Sequence, residues 1–289
     1  TREGDAVVVP AESAVAPGHH VRPAGGDFKA AAPLLAGGVR IDPWRLSLAA
    51  AAGRAEVAVA RRPRVAIFST GEEIVEAPAA PGPFQIYDSG SLALAALATS
   101  WGAAVTRARP VRDDLEATIE ALRRAEGDLV VTVGGASVGD HDLVRAAGEA
   151  LGLSMKVESV AVRPGKPTFF GVLADGRRML GLPGNPASAM VCAELFLRPI
   201  LAAYAGAEAA LPMLGAALAE PLPANGPREH WMRAKLSFEG GLAMVRPYRD
   251  QDSSLVSVFA VSDALLKRQP SAAAAGVGDL VEVLPLARA

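Results

Sequence analysis

The sequence predicts an α/β protein with a doubly wound, mostly parallel central sheet and a β-rich C-terminal domain. Three observations carry this. Between residues 64 and 203, short apolar runs alternate with helical patterns, the mark of a parallel sheet with helices on both faces. One of these runs, Leu129–Val133, passes through a glycine-rich turn, Gly134–Asp142, into a helical pattern at Leu143, Val144, Ala147 and Leu151. After residue 205, prolines 212, 221, 223 and 227 and a Gly240-Gly241 turn separate short strand patterns.

The elements read in order as follows. Ala6–Val9 is a short strand, and His19-His20, Pro23 and Gly25-Gly26 form a loop. Pro43–Ala52 is a helix ending at Gly53, Glu56–Ala60 alternates like a strand, and Arg61-Arg62-Pro63 is a hinge. Arg64–Phe68 is a buried strand followed by the turn Ser69–Glu73, with a proline-rich loop at 78–83. Asp88–Trp101 is a helix capped by Asp88 or Ser89. Ala104–Arg109 is a strand, and Asp113-Asp114 open the helix Leu115–Ala125, where acids suit the helix dipole. Lys156–Val162 and Pro167–Leu173 read as strands joined by Arg163–Lys166; Met179–Leu182 is another, turning through Pro183–Pro186 into the apolar helix Ala187–Tyr204. In the last part, His230–Phe238, Leu242–Tyr248 and Leu280–Leu284 read as strands and Phe259–Lys267 as a helix.

Composition excludes several classes. The 289 residues suffice for two or three domains, and a 51% hydrophobic content allows a sizeable core. A net charge of −2 argues against a nucleic-acid surface. The single cysteine, Cys192, rules out a disulfide framework and fits a reducing cytoplasm; with four histidines it shows no zinc-ligand spacing. No run of roughly 18 apolar residues suggests a membrane span. Arg2, Glu3 and Asp5 occupy the place where a signal peptide needs apolar residues.

Five turns follow strands of the expected sheet: Ser69–Glu73, Asp88-Ser89, Gly134–Asp142, Arg163–Lys166 and Pro183–Pro186. In a parallel sheet they converge on one edge, where ligands bind. Gly134, Gly135, Ser137 and Gly139 let backbone N–H groups approach an anion, and Asp140 and Asp142 are hard oxygen donors suited to Mg²⁺ beside a phosphate. The plainer alternative is a βα turn capped by Asp140. Arg163 and Lys166, stiffened by Pro164 and Pro167, suit an oxyanion; the alternative is two solvated charges on a hairpin tip. Asn185 and Pro186 initiate a helix, or its N–H groups cradle an oxyanion. Glu72-Glu73 and Asp27 are acids that suit metal or a polar substrate, whereas Asp113-Asp114 read as helix charge. His141 lies between two aspartates. Cys192, Trp44, Trp101 and Trp231 read as core or interface.

Taken together, STGEE at 69–73, YDSG at 87–90, GGASVGDHD at 134–142, RPGKP at 163–167 and GLPGNPASA at 181–189 resemble the molybdopterin molybdenumtransferase family, MoeA and the E domain of gephyrin. The family pattern runs STGDEL, DSN, GGVSVGDYD, KPGKP, GLPGNPVSA. VRPAGGDFKA at 21–30, HWMRAKL and QDSSLVSVFAVSDALL are also similar to the family, so the resemblance covers nearly the whole chain. The related MogA-like adenylyltransferases carry GGTG where this chain has GGASVG.

The resemblance implies a MoaB/MogA-like central domain at 62–205, a barrel-like domain at 206–289, a partial N-terminal domain at 21–61 and the remnant of a lid-like domain at 1–20, most of which the chain lacks. It implies insertion of molybdate into adenylylated molybdopterin with release of AMP, requiring Mg²⁺, in a cytoplasmic homodimer that works alongside a MogA-like adenylyltransferase, with no nucleic acid or membrane involved. The implied catalytic residues are Glu73, Asp142, Arg163 and Lys166. Pterin phosphate and molybdate fall to Ser69, Thr70, Gly71, Asp88, Ser89, Gly134, Gly135, Ser137, Gly139, Pro183, Gly184, Asn185 and Pro186, and metal to Asp140, Asp142 and Glu73. Gly90 stands where the family has Asn, Arg163 where it commonly has Lys, and Ser159 at an often basic position. A second reading, a pterin-binding module without turnover, follows from the missing N-terminal part.

Overall fold

The computed structural model describes residues 2–9, 16–135 and 143–286. It divides into two units, Thr1–Ala58 and Val59–Ala289.

In the first unit, β1 (Arg2–Glu3) and β2 (Ala6–Val7) form a small antiparallel pair. α1 (Pro43–Ala51) starts where expected: Asp42 accepts the Arg45 N–H at 2.8 Å and Pro43 supplies the first-turn φ. Trp44, expected in a core or interface, is 84% exposed. Residues 56–60 form no strand: an alternating pattern needs a neighbour to pair with, and none is present among the described residues.

The second unit opens with β3 (Arg64–Ser69), β4 (Ile74–Val75) and β5 (Ile86–Tyr87). Then come α2 (Gly90–Ser100), β6 (Ala104–Arg107), α3 (Leu115–Arg124), β7 (Leu129–Val133) and α4 (Leu143–Ala150). β8 (Ser154–Val157), β9 (Val162–Arg163), β10 (Phe169–Val172) and β11 (Arg178–Leu182) follow. The main sheet has the order β6-β3-β7-β11-β10-β8. Its first four strands are parallel; β10 runs antiparallel to both β11 and β8. β3 and β7 are buried at nearly every position because both faces of the sheet are covered, which is why they read as continuous apolar runs.

After β11 a continuous helix runs from Pro186 to Tyr204: α5 (Pro186–Cys192), a π turn (Ala193–Leu197) and α6 (Arg198–Tyr204). It is long and apolar enough to cross a membrane by length and composition, correcting the expectation that no such run exists. Here it packs on the sheet, 61% buried. Leu94 and Ala98 of α2 and Ala189, Cys192 and Leu197 of this helix cover one face, over Val65, Ile67, Val131 and Leu180. Ile119 and Leu122 of α3 and Val144 and Ala147 of α4 cover the other, over Phe68, Val130 and Met179. The helices following the adjacent strands β3 and β7 therefore leave to opposite faces, which opens a crevice at the carboxyl ends of those strands.

β12 (Leu214–Leu218), β13 (Glu229–Glu239), β14 (Leu242–Pro247), α7 (Val256–Val261), β15 (Ala264–Arg268) and β16 (Leu280–Pro285) complete the chain. The five strands close into a barrel through the β13–β14 pairing. Phe259–Lys267 is not one helix: β15 pairs with β13 and β16. Ala264 and Leu266 face the barrel core, whereas Leu265 packs outward with Trp231, Val191 and Leu195. β9 adds to the barrel sheet, parallel to β13, so Lys156–Val162 is not a single strand of the main sheet.

Candidate functional site

The crevice is built from backbone. The ladders of β7 continue past the strand ends on both sides, with the Thr70 N–H after β3 donating to Val133 O at 2.9 Å and the Gly134 N–H donating to Leu182 O of β11 at 3.1 Å. Gly134 has φ +90°, and a Cβ there would lie 2.7 Å from the Thr70 carbonyl oxygen. A Cβ on Gly184 would lie 3.3 Å from the Gly134 Cα. Three distant segments, 70–71, 134–135 and 183–186, are thus packed backbone to backbone.

They line a cavity of about 1000 Å³ together with Glu73, Ser89, Asp113, Lys166 and Pro167. Thr70 is buried, and its Oγ1 has no hydrogen-bond partner among the described residues. A buried hydroxyl without a partner carries a desolvation cost that a ligand oxygen or N–H would relieve.

A second cavity, about 400 Å³, is lined by Arg163, Lys166, Ser188, Arg228, Gln251, Asp252 and Ser253. Lys166, Pro167, Pro183 and Asn185 line both cavities. Arg163 reaches this place from β9 of the barrel sheet, not from a strand end of the main sheet. The site therefore lies where the α/β domain meets the barrel.

Behind its Gln251–Asp252 wall stands Arg233, 1% exposed. Its Nε donates to Gln251 Oε1 at 3.3 Å and its Nη1 to the Asp252 carbonyl at 2.8 Å, while Nη2 has no partner among the described residues. Burial and the cations Arg163, Arg233 and Arg228 hold His230 down at about 4, so at neutral pH it is uncharged.

The Asn185 turn offers fewer donors than expected. Pro186 has no N–H, the Ala187 N–H already donates to Ser253 O at 3.1 Å, and Asn185 Nδ2 donates to Ser253 Oγ at 2.9 Å. The barrel loop occupies much of the helix start, so the free charge in this cavity comes from side chains.

Ser69 and Asp88 line a small recess shared with Thr70, Glu73 and Ser89, and both are held by hydrogen bonds within the fold. Asp88 accepts from Ser69 Oγ and the Ser91 N–H, both at 3.0 Å, and from Ser91 Oγ at 2.5 Å. Arg107 lies 3.4 Å from Asp88 and 2.6 Å from Glu76. Asp88 caps α2 with its lone pairs engaged inward, whereas Ser89 faces the cavity. The paired acids separate too: Asp114 accepts the Ala117 N–H at 2.7 Å and caps α3, and Asp113 lines the same cavity as Gly134 and Gly135. Asp27 pairs with Arg22 at 3.7 Å in the first unit. Ser137, Gly139, Asp140, His141 and Asp142 lie outside the described residues.

Cys192 is core, as the plainer reading had it, and burial pushes its thiol up to about 12. No group of three metal-ligating residues occurs among the described residues. Sequence reasoning missed Arg228, Arg233 and Gln251–Ser253. The polar run Gln251–Ser254 was the visible signal for the last of these.

Comparison with known proteins agrees with this layout. Residues 66–203 match the family described as "Probable molybdopterin binding domain", and residues 215–286 match "MoeA C-terminal region (domain IV)". A molybdopterin molybdenumtransferase of Staphylococcus epidermidis is 32% identical over 90% of this chain and 62% of its own length. Molybdopterin molybdenumtransferase 2 of Mycobacterium tuberculosis is 36% identical over 78% of this chain and 57% of its own. The crystal structure of a molybdopterin biosynthesis MoeA protein from Pyrococcus horikosii superposes with a TM-score of 0.73 at 32% identity, covering 86% of this chain and 60% of that one. The chain thus spans about three fifths of the length of these relatives. With both regions present in order along one chain, its likeness to the MoeA family extends over residues 66–203 and 215–286.

Proposed function

We propose that this chain serves molybdenum cofactor biosynthesis as a molybdopterin molybdenumtransferase, joining molybdate to adenylylated molybdopterin with release of AMP. The observation that supports this most is the adjacency of the two cavities: a glycine-lined cleft suited to phosphate next to a smaller cavity lined by Arg163, Lys166 and Arg228. Two anions, a pterin phosphate and a tetrahedral oxyanion, would be held side by side.

In this reading Thr70, Gly71, Ser89, Gly134, Gly135, Ser137 and Gly139 hold the pterin phosphate, with Thr70 Oγ1 donating to it. Pro183–Pro186 forms the floor between the two subsites. Arg163, Lys166 and Arg228 hold molybdate, and the buried guanidinium of Arg233 adds positive potential behind it. Ser69 and Asp88 act by holding the start of α2. Glu73 and Asp113, on the same cleft, fit the one or two carboxylates that Mg²⁺ takes beside substrate phosphates, with Asp140 and Asp142 as further donors. When bound there, Mg²⁺ neutralises charge developing on the phosphoanhydride. We place this reaction in a cytoplasmic homodimer supplied by a MogA-like adenylyltransferase.

The test is AMP release from adenylylated molybdopterin, Mg²⁺ and molybdate by the purified protein. Molybdate-dependent release above background supports the transferase. Lys166→Ala should raise the molybdate requirement by the equivalent of about 1–3 kcal/mol. Tight pterin binding without AMP release supports the module reading instead.

A further inference from the structure

We infer that Arg145 is a positioning residue for the cation-bearing loop, acting through the loop's two stems. This rests on the proposed oxyanion role of Arg163 and Lys166. One guanidinium nitrogen, Nη2, donates to the carbonyl of Glu158 at 2.7 Å and to that of Pro167 at 3.4 Å. These carbonyls flank the segment 159–166, whose ends are also tied by the Val160 N–H donating to Lys166 O at 3.1 Å. The guanidinium carbon lies 4.7 Å from the centroid of the ring of Phe169 on β10, a cation–π contact that helps hold the group in place.

The placement of Arg145 gives this staple its meaning. It sits in the first turn of α4, one residue after Val144. A Cβ on Gly135 would lie 2.3 Å from the Cγ2 of Val144, so this turn is packed directly on the phosphate-side glycines. Arg145 thus fixes the cation loop relative to the same element that seats those glycines. Both bonds come from one nitrogen, so a lysine keeps a donor there but loses the planar group that packs on Phe169, and a methionine keeps the stem while losing both bonds.

The experiment is isothermal titration of molybdate alone, and separately of adenylylated molybdopterin, into wild type, Arg145→Met, Arg145→Lys and Lys166→Ala. The expected result is a roughly tenfold weaker molybdate Kd for Arg145→Met, a smaller loss for Arg145→Lys, and a pterin Kd unchanged within about twofold. An unchanged molybdate Kd in both Arg145 variants, or equal losses for both ligands, overturns the inference. Should Arg145→Met fail to fold, the selective loss in Arg145→Lys decides. Absence of molybdate binding in wild type, or an unaffected Lys166→Ala, would instead remove the reading on which the inference rests.

Discussion

Cys192 lies directly beneath Gly165: a Cβ on that glycine, which has φ +123°, would stand 2.2 Å from the cysteine Sγ. The same sulfur accepts from Thr168 Oγ1 at 3.2 Å. The thiol, uncharged and fully buried, is a spacer whose size sets the height of the loop carrying Arg163 and Lys166. Cys192→Leu should therefore lower stability by about 1–3 kcal/mol through overpacking and weaken molybdate binding as well. Cys192→Ser should leave binding close to wild type. Thermal unfolding and a molybdate titration check both statements.

Thr70 offers a cleaner separation of stability from binding. Its Oγ1 is buried without a partner among the described residues. Thr70→Val keeps the shape and removes a hydroxyl that the folded protein leaves unsatisfied, so the melting temperature should hold or rise. Affinity for the adenylylated pterin should fall by about 1 kcal/mol, the size of one lost hydrogen bond. Parallel loss of both would mean that the hydroxyl serves the fold.

Asp88 should behave in the opposite way. Its carboxylate receives Ser69, the α2 N-terminus and Arg107. Asp88→Ala removes a cap and leaves two hydroxyls and a guanidinium without their acceptor, a loss of about 2–4 kcal/mol. Chemical denaturation should show this loss, and the pterin Kd of the folded fraction should change little.

Acid should expose His230. Its folded value, about 4, lies below the ordinary 6.5, so the unfolded chain binds the proton first. Stability from neutral His230 is complete above about pH 6.5 and is lost as pH falls toward 4, by about 1–3 kcal/mol. Glu194, raised by burial, acts oppositely: its contribution is present at low pH and fades as pH rises above 4.5. Asp128, held down at about 2 by Arg61, loses its contribution only below about 3.8. The slope that disappears on His230→Asn between pH 6.5 and 4, measured by urea unfolding, isolates the histidine.

Much of the α/β domain was legible because its physics is local. β3 and β7 are apolar on both faces, and the glycine turns mark their ends. What escaped was set at long range. Ala264-Leu265-Leu266-Lys267 is made of good helix formers, yet pairing with β13 and β16 makes it a strand with alternating burial. Arg163 and Lys166 were recognised as cations, but the placement of Arg163 on a barrel strand, with Lys166 in the turn after it, depends on the β9–β13 pairing, 67 residues apart in sequence. Asp113 and Asp114 have the same local signature, and only the fold turns one into a cap and the other toward the cleft. Arg228 and Gln251–Ser253 join the site because the barrel docks on α5, a contact with no local trace.

The most direct test of the account is the position of a heavy oxyanion in a crystal. Tungstate, isosteric with molybdate, should give an anomalous peak in the cavity between Arg163, Lys166 and Arg228, next to the Asn185 turn. A peak elsewhere on the molecule at saturating tungstate, with that cavity empty, would contradict it.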